Sequence, residues 1–214
     1  MTGYNKGMQS RERIINHSRE IFNELGLGIT LNKLAKELNV TLGMLTYHFA
    51  TKDSLFVAIA QDYQLKLNMV RIHNPEPQLS LSSLYELAGR VMDLQYGFRC
   101  VMRYIASSSY KQTEIFDHQT AQFIQIKSRL LYLTTKLVES GELHKSILEG
   151  NNYRVYLFVF TNLFTNWAIS LETYDYPETY ESLKPIYLKG IFLAYLPYLT
   201  ERGKEALKRV NVEY

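Results

Sequence analysis

Apolar residues recur at intervals of three and four along most of this chain, and this spacing constrains the fold more than any other feature. Leu31, Leu34, Ala35 and Leu38 follow the spacing of one face of an α-helix. The same period resumes at residue 79 and continues through the last long apolar segments, and no segment alternates as a strand does. The sequence therefore predicts an all-α protein.

Start and stop signals divide the first 72 residues into four predicted helices. The third helix is expected over Leu42–His48, and the fourth runs from Thr51 to about Ile72. The signals are the N-caps Ser10, Thr30 and Thr51, the helix terminator Gly26 and the left-handed turn residue Asn39.

Two prolines, Pro75 and Pro77, mark the best domain boundary. We expect an N-terminal helix-turn-helix domain over residues 1–54, a connecting helix over 51–72, and a larger helical ligand-binding and dimerisation domain over 73–214. The uncharged segment Val155–Leu171 lies at the lower length limit for a membrane span. Because it carries polar residues such as Asn162, a helix buried in a globular assembly is the favoured interpretation.

The cysteine content favours a cytoplasmic protein, and the net charge alone does not indicate what kind of partner it binds. The N-terminus shows no secretory signal, and the single cysteine, Cys100, has no internal disulfide partner. The net charge of +3 permits nucleic-acid binding without requiring it.

The second and third predicted helices form a helix-turn-helix. Leu45 and Phe49, four residues apart, anchor the third helix from behind, so the helical period directs Tyr47 outward with Gly43 and Met44 on either side. An outward set that is small or mixed-polar suits the major groove of DNA. Short helix pairs are also common in bundles that bind no DNA, so the spacing alone leaves both interpretations open.

Residues 11–60 resemble the DNA-binding domain of the TetR family of bacterial repressors. The matching stretches are RIINHSREIFNELG, TLNKLAKELNVTLGML and YHFATKDSLF. The resemblance implies that the protein is a transcriptional regulator, a homodimer that binds a palindromic operator in double-stranded DNA and is released by a small-molecule inducer.

The resemblance also implies contacts for individual residues. Thr30 and Asn32 are expected near phosphates at the start of the second helix. The side chains expected at the groove or at the phosphates beside it are those of Thr41, Leu42, Gly43, Met44, Thr46, Tyr47, His48 and Lys52.

Three departures from the family pattern affect that expectation. The loop after Gly26 is one residue shorter, Leu42 stands where Lys or Arg is frequent, and Thr46 stands where Tyr is usual. A missing cation and a missing phenol weaken the expected phosphate contacts, because charge-assisted hydrogen bonds are the stronger kind. Leu42 is a candidate for contact with a thymine methyl group instead.

The last two long helices, predicted over Asn151–Tyr174 and Thr179–Leu199, are too apolar to be isolated on a surface. Pairing with a two-fold copy would bury that apolar surface. The side chains expected at this dimer interface are Phe158, Leu163, Ile186, Ile191, Leu193 and Leu196.

Aromatic and cationic residues on the central helices suggest a pocket for a largely apolar inducer. The candidates are Tyr96, Arg99, Arg103, Phe123, Lys127 and Trp167. Aromatic residues at helical spacing more often belong to the hydrophobic core than to a pocket. Arg99 and Arg103 could together bind an anion, and the alternative is that they form salt bridges with Asp93, Asp117 or Glu114.

A small helical enzyme and a dimeric helical interaction protein without DNA are the two alternative functional classes. The five histidines are scattered, with no HExxH motif and no cysteine cluster, so we expect no metal, no cofactor and no catalytic residue. Activation of transcription instead of repression remains open.

Overall fold

The computed structural model describes the backbone of residues 2–72, 79–106 and 114–212, and the side chains of residues 9–70, 79–105 and 125–212. This part of the chain forms ten α-helices and two short 3-10 helices and contains no strand, which confirms the all-α prediction. The α-helices are α1 (Thr2–Leu25), α2 (Leu31–Glu37), α3 (Leu42–His48), α4 (Lys52–Ile72), α5 (Leu81–Gly97), α6 (Arg99–Ala106), α7 (Glu114–Glu139), α8 (Asn152–Thr173), α9 (Tyr180–Phe192) and α10 (Glu201–Lys208). The 3-10 helices are Lys145–Leu148 and Leu193–Tyr198.

Local signals set most boundaries of the first four helices. Thr30 and Thr51 each accept a hydrogen bond from the amide three residues later, at 3.3 and 3.0 Å, as expected of N-caps. Gly26 ends α1 with φ 78° and Asn39 takes φ 54° in the turn before α3, so both predictions are confirmed. The prediction for Ser10 is wrong, because α1 already begins at Thr2 and no proline interrupts the helical backbone before Ser10.

The contacts divide the chain into two compact units. The first comprises Met1–Asn68 and Gly97–Asp117, and the second comprises Met69–Tyr96 and His118–Tyr214. Helix α6 thus belongs to the first unit, although the sequence predicted that everything after residue 73 forms one domain. Whether residues 1–54 and 73–214 are separate domains with the predicted boundaries stays a prediction.

Stacked aromatic rings and one asparagine attach α6 within the first unit. Phe56 on α4 stacks on Phe22 of α1 and on Tyr104 of α6, with ring centroids 4.5 Å apart in both pairs. Buried Asn23 donates a hydrogen bond to the carbonyl of Gly97 at 2.9 Å and accepts one from the amide of Cys100 at 2.8 Å. Through these contacts α6 supports the helix-turn-helix, although it lies some fifty residues later in the sequence.

The second unit has a core rich in aromatic side chains from α8, α9 and the 3-10 helix that follows α9. Tyr156 and Tyr195 are fully buried and share a hydrogen bond of 2.6 Å between their hydroxyl oxygens. Ile191 is only 2 % exposed in this core, so its predicted place in the dimer interface is wrong. On α9 it shares the inward face with Leu188, whereas Ile186 lies on the outward face.

None of the helices that the structure describes has the length and apolar character needed to cross a bilayer. The uncharged segment Val155–Leu171 lies within α8, where Tyr156, Phe160 and Trp167 are buried in the core of the second unit.

Candidate nucleic-acid interface

Helix α3 is held by its buried face and presents the opposite face to solvent. Leu45 is fully buried and Phe49 is 2 % exposed, whereas Tyr47 between them is 85 % exposed. This confirms the orientation expected from the helical period. Thr41 begins the helix by accepting a hydrogen bond from the amide of Met44 at 3.1 Å.

The exposed face of α3 carries no charged side chain. Leu42 and Met44 are exposed, and apart from its chain neighbours and the backbone of its own helix, nothing lies within 4 Å of the position a Cβ of Gly43 would take. Open space above a glycine lets another molecule approach the backbone closely. The surface around Tyr47 therefore allows close contact with another molecule, but it provides no charge to attract one.

Two predicted contact residues at helix starts are exposed. The Thr30 hydroxyl oxygen caps α2, and Asn32 lies in the first turn of the same helix. A capping oxygen accepts from the backbone while its O–H hydrogen stays available to a phosphate. The positions of Thr30 and Asn32 are thus compatible with the expected contacts.

Two other predicted residues direct their donors into the protein. The hydroxyl of Thr46 donates to the carbonyl oxygens of Leu42 and Gly43, at 3.0 and 3.3 Å, within its own helix. The ammonium group of Lys52 donates to the carbonyl oxygen of Leu27 in the loop after α1. In this geometry neither donor faces outward, so their predicted contacts with DNA require the side chains to reorient.

His48 lies between two aromatic neighbours at the end of α3. Its ring is 5.1 Å from that of Tyr47 in an edge-to-face arrangement and 6.4 Å from that of Phe49. The side chain is half-buried, which leaves part of the imidazole accessible beside the exposed phenol of Tyr47.

Arg11 was not predicted at this site. Its guanidinium carbon lies 5.1 Å from the ring centroid of Phe49, the residue that ends α3. The position of Arg11 among the basic residues near the N-terminus was the available signal. Periodicity cannot find such a contact, because it joins two residues far apart in the sequence.

Of the six predicted inducer residues, two belong to the first unit and four to the second. Tyr96 stacks on Tyr180 with centroids 4.2 Å apart, and the Trp167 indole donates to the Gln95 side chain at 2.7 Å, all within the second unit. Trp167 is buried in the core. Lys127 is exposed on α7, and the side chain of Phe123 lies outside the described residues.

Arg99 and Arg103 lie on α6 in the first unit, and a pocket that they share with these aromatic residues stays a prediction. Arg103 donates to the carbonyl oxygens of Asn23 and Phe22, at 3.0 and 3.4 Å, and so caps the C-terminus of α1. Asp93 accepts hydrogen bonds from Lys184 at 2.6 Å and from Tyr180 at 2.8 Å, and its salt bridge with Arg99 or Arg103 stays a prediction. The side chains of Asp117 and Glu114 lie outside the described residues.

An open groove of about 670 Å³ runs between α5, α9 and residues 210–212 of the second unit. Its lining combines Tyr85 and Ile186 with charged residues that include Arg90 and Lys189. It was not predicted, because the residues come from three separated segments.

The second unit exposes large apolar side chains on α8, α9 and the following 3-10 helix. Phe158 is 68 % exposed and Ile186 is 62 % exposed. Exposed apolar surface of this extent is typical of an interface. The apolar face consists of Val155, Phe158, Leu163, Ile169, Ile186, Leu193 and Leu196.

Comparison with known proteins identifies the N-terminal domain and the fold. Residues 14–59 match the family model described as bacterial regulatory proteins, tetR family. The solved structure of a TetR-family transcriptional regulator from Marinobacter aquaeolei VT8 is 21 % identical and has a TM-score of 0.78, over 95 % of this chain and 98 % of that one. No curated protein matches the sequence.

Two further solved structures share the fold. A gamma-butyrolactone receptor (ArpA-like protein) is 18 % identical with a TM-score of 0.69, over 95 % of each chain. The SmeT–triclosan complex is 15 % identical with a TM-score of 0.64, over 90 % of this chain and 93 % of that one. The chain thus has the N-terminal DNA-binding domain and the overall fold of a TetR-family transcriptional regulator.

Proposed function

We propose that the protein is a cytoplasmic, homodimeric repressor that binds a palindromic operator and is released by a small-molecule inducer. The observation that carries the proposal is the presentation of α3. Its buried anchors Leu45 and Phe49 hold it rigidly, while Gly43, Met44 and Tyr47 face solvent as one surface. Such a helix can enter the major groove, with Thr30, Asn32 and His48 near the phosphates.

Dimerisation is the second element of the proposal, and the apolar face on α8 and α9 supports it. Phe158 and Ile186 lose their contact with water if a second copy covers them, which stabilises association. A two-fold axis also explains a palindromic operator, because two recognition helices then enter successive major grooves, about 34 Å apart.

An inducer is the third element, and we expect it to be largely apolar. The second unit is rich in aromatic side chains, of which Tyr96, Trp167 and Tyr180 form one cluster. A ligand that binds the non-DNA-binding state more tightly releases the operator by that difference in affinity. The neighbours that are a gamma-butyrolactone receptor and a triclosan complex make lactones and triclosan reasonable first compounds to test.

Selection of bound sequences from random duplex DNA with purified protein tests the central claim. We expect enrichment of one palindrome, whose binding weakens steeply as salt rises because phosphate contacts release counterions. Candidate ligands are then added to the complex, and a reporter promoter carrying the palindrome distinguishes repression from activation.

A matched pair of tyrosine variants sharpens this test. Tyr47 and Tyr174 are 85 % and 81 % exposed, but only Tyr47 lies on α3. Tyr47→Ala is expected to abolish binding to the selected palindrome, whereas Tyr174→Ala leaves it unchanged. Failure to enrich any palindrome, together with absence of salt-dependent DNA binding, would favour the alternatives, a dimeric helical interaction protein or a small helical enzyme.

A further inference from the structure

Arg11 is placed on the end of the exposed helix α3 although it belongs to α1. Its guanidinium carbon lies 5.1 Å from the centroid of the Phe49 ring, and that ring is buried and fixed. A guanidinium over an aromatic face is attracted to the ring while its N–H groups remain available for other acceptors. Arg11 is exposed, and no hydrogen bond or ion pair joins it to the residues that the structure describes.

Three predicted contact positions on or beside α3 offer no outward cation or hydroxyl in this structure. Leu42 contributes no charge, and the Thr46 hydroxyl donates to carbonyl oxygens of its own helix. The Lys52 ammonium group donates to the carbonyl oxygen of Leu27. A cation from another helix that lies against α3 would therefore strengthen the contact with phosphates beside it.

We propose that Arg11 binds a backbone phosphate of the duplex on which α3 docks. The inference rests on the proposed function of DNA binding. A guanidinium pairs with phosphate through two parallel charge-assisted hydrogen bonds. Stacking on Phe49 preorganises the side chain, so less conformational entropy is lost when the contact forms. Because the contact is to the backbone, it strengthens binding to every sequence alike.

Variants at two neighbouring arginines test the role of Arg11. Arg11→Gln removes the charge and keeps much of the length, Arg11→Met keeps an apolar stem on Phe49, and Arg11→Lys keeps the charge. Arg13→Ala is the matched control, because Arg13 is also exposed but projects about 200° around α1 from Arg11. Dissociation constants are measured across a range of KCl concentrations, on the selected palindrome and on an unrelated duplex.

We expect Arg11→Gln and Arg11→Met to reduce the slope of log Kd against log[KCl] by about two for a dimer, which is about one contact for each protomer. Both variants are expected to weaken binding to the two duplexes by the same factor. Arg11→Lys and Arg13→Ala are expected to keep the wild-type slope. Circular dichroism of each variant checks that it is folded at the temperature of the measurement.

The outcomes separate this inference from the proposed function. An unchanged slope in the folded Arg11→Gln or Arg11→Met protein overturns the phosphate contact. An equal fall in Arg13→Ala overturns it too, since the effect is then one of overall charge. A loss confined to the palindrome assigns Arg11 to a base edge instead. Wild-type protein without salt-dependent DNA binding overturns the proposed function itself, and the role of Arg11 with it.

Discussion

The hydroxyl of Tyr104 on α6 donates a hydrogen bond to the carboxylate of Asp53 in the first turn of α4, with 2.8 Å between the oxygens. The Tyr104 ring stacks on Phe56, and the residue is 8 % exposed. Together with Asn23 at the other end, this bond ties α6 to the helices that support α3. Helix α6 is therefore part of the first unit in structure, although it follows α5 of the second unit in sequence.

This bond predicts a pH dependence of stability. Burial, reinforced by the hydrogen bond to Asp53, raises the pKa of Tyr104 to about 12 from an ordinary value of 10.0. The folded state thus favours the neutral phenol, so its contribution is fully present below pH 10 and is lost as pH rises from 10.0 to about 12. We expect Tyr104→Phe to lower the free energy of unfolding at neutral pH by about 1 kcal/mol. The same variant is expected to show a smaller decline at alkaline pH, measured by urea unfolding.

Tyr174→Phe is the matched control for that experiment, because Tyr174 is 81 % exposed and its hydroxyl has no hydrogen bond within the described structure. Its stability profile is expected to coincide with that of the wild type. If Tyr104→Phe also coincides with the wild type at every pH, the bond to Asp53 does not contribute to stability.

Gly203 on α10 predicts a large steric effect. A Cβ at this position would lie 2.2 Å from the carbonyl oxygen of Glu142. That carbonyl cannot easily move, because it accepts hydrogen bonds from the amide and hydroxyl of Thr200, at 3.2 and 3.1 Å. We expect Gly203→Ala to lower the free energy of unfolding by about 1–3 kcal/mol. Arg202→Ala, an exposed neighbour, should change it by less than about 0.5 kcal/mol at the same protein concentration.

Substitution of Ser18 is expected to change the free energy of unfolding in the opposite direction, towards higher stability. Its hydroxyl is fully buried on α1 and has no hydrogen-bond partner among the residues that the structure describes. A buried donor without a partner is destabilising, and alanine is the better helix former. We expect Ser18→Ala to raise the free energy of unfolding by about 1 kcal/mol in urea titrations. A loss of stability would mean that the hydroxyl has a partner, such as a bound water.

Phe158 tests the dimer interface. Its side chain is 68 % exposed on α8 and belongs to the apolar face. Phe158→Glu places a charge against its two-fold copy or against apolar surface, so we expect the dimer to weaken more than about 30-fold in sedimentation experiments. Leu131→Glu changes a residue that is 46 % exposed on α7 and outside that face, and it should leave the dimer intact. Equal effects of the two variants would place the interface elsewhere.

The helix-turn-helix was predictable from the sequence because local interactions specify it. The Thr30 cap, Gly26 and Asn39 act within a few residues of themselves, and the 3.6-residue period alone separates Leu45 from Tyr47. The contacts with DNA predicted for α2 and α3 stay predictions, since no duplex is bound.

The ligand residues were less predictable because their partners are distant in the sequence. Periodicity shows that Arg103 and Trp167 lie on helices, but it does not show which helix each one faces. The structure assigns Arg103 to the end of α1 and Trp167 to the core of the second unit. Ile191 was misassigned for the same reason, because an apolar residue on an apolar helix suits a core and an interface equally.

The sequence by itself determined the helical class, the ends of the short helices and the outward face of α3, because each depends on hydrogen bonds and spacing within one or two turns. Tertiary structure alone decided that Lys52 bonds back to the loop after α1, that Arg11 stacks on Phe49, and that α6 joins the first unit. Those arrangements arise when distant helices bury their apolar faces together, and the bonds available to each polar side chain then depend on which neighbour that packing provides.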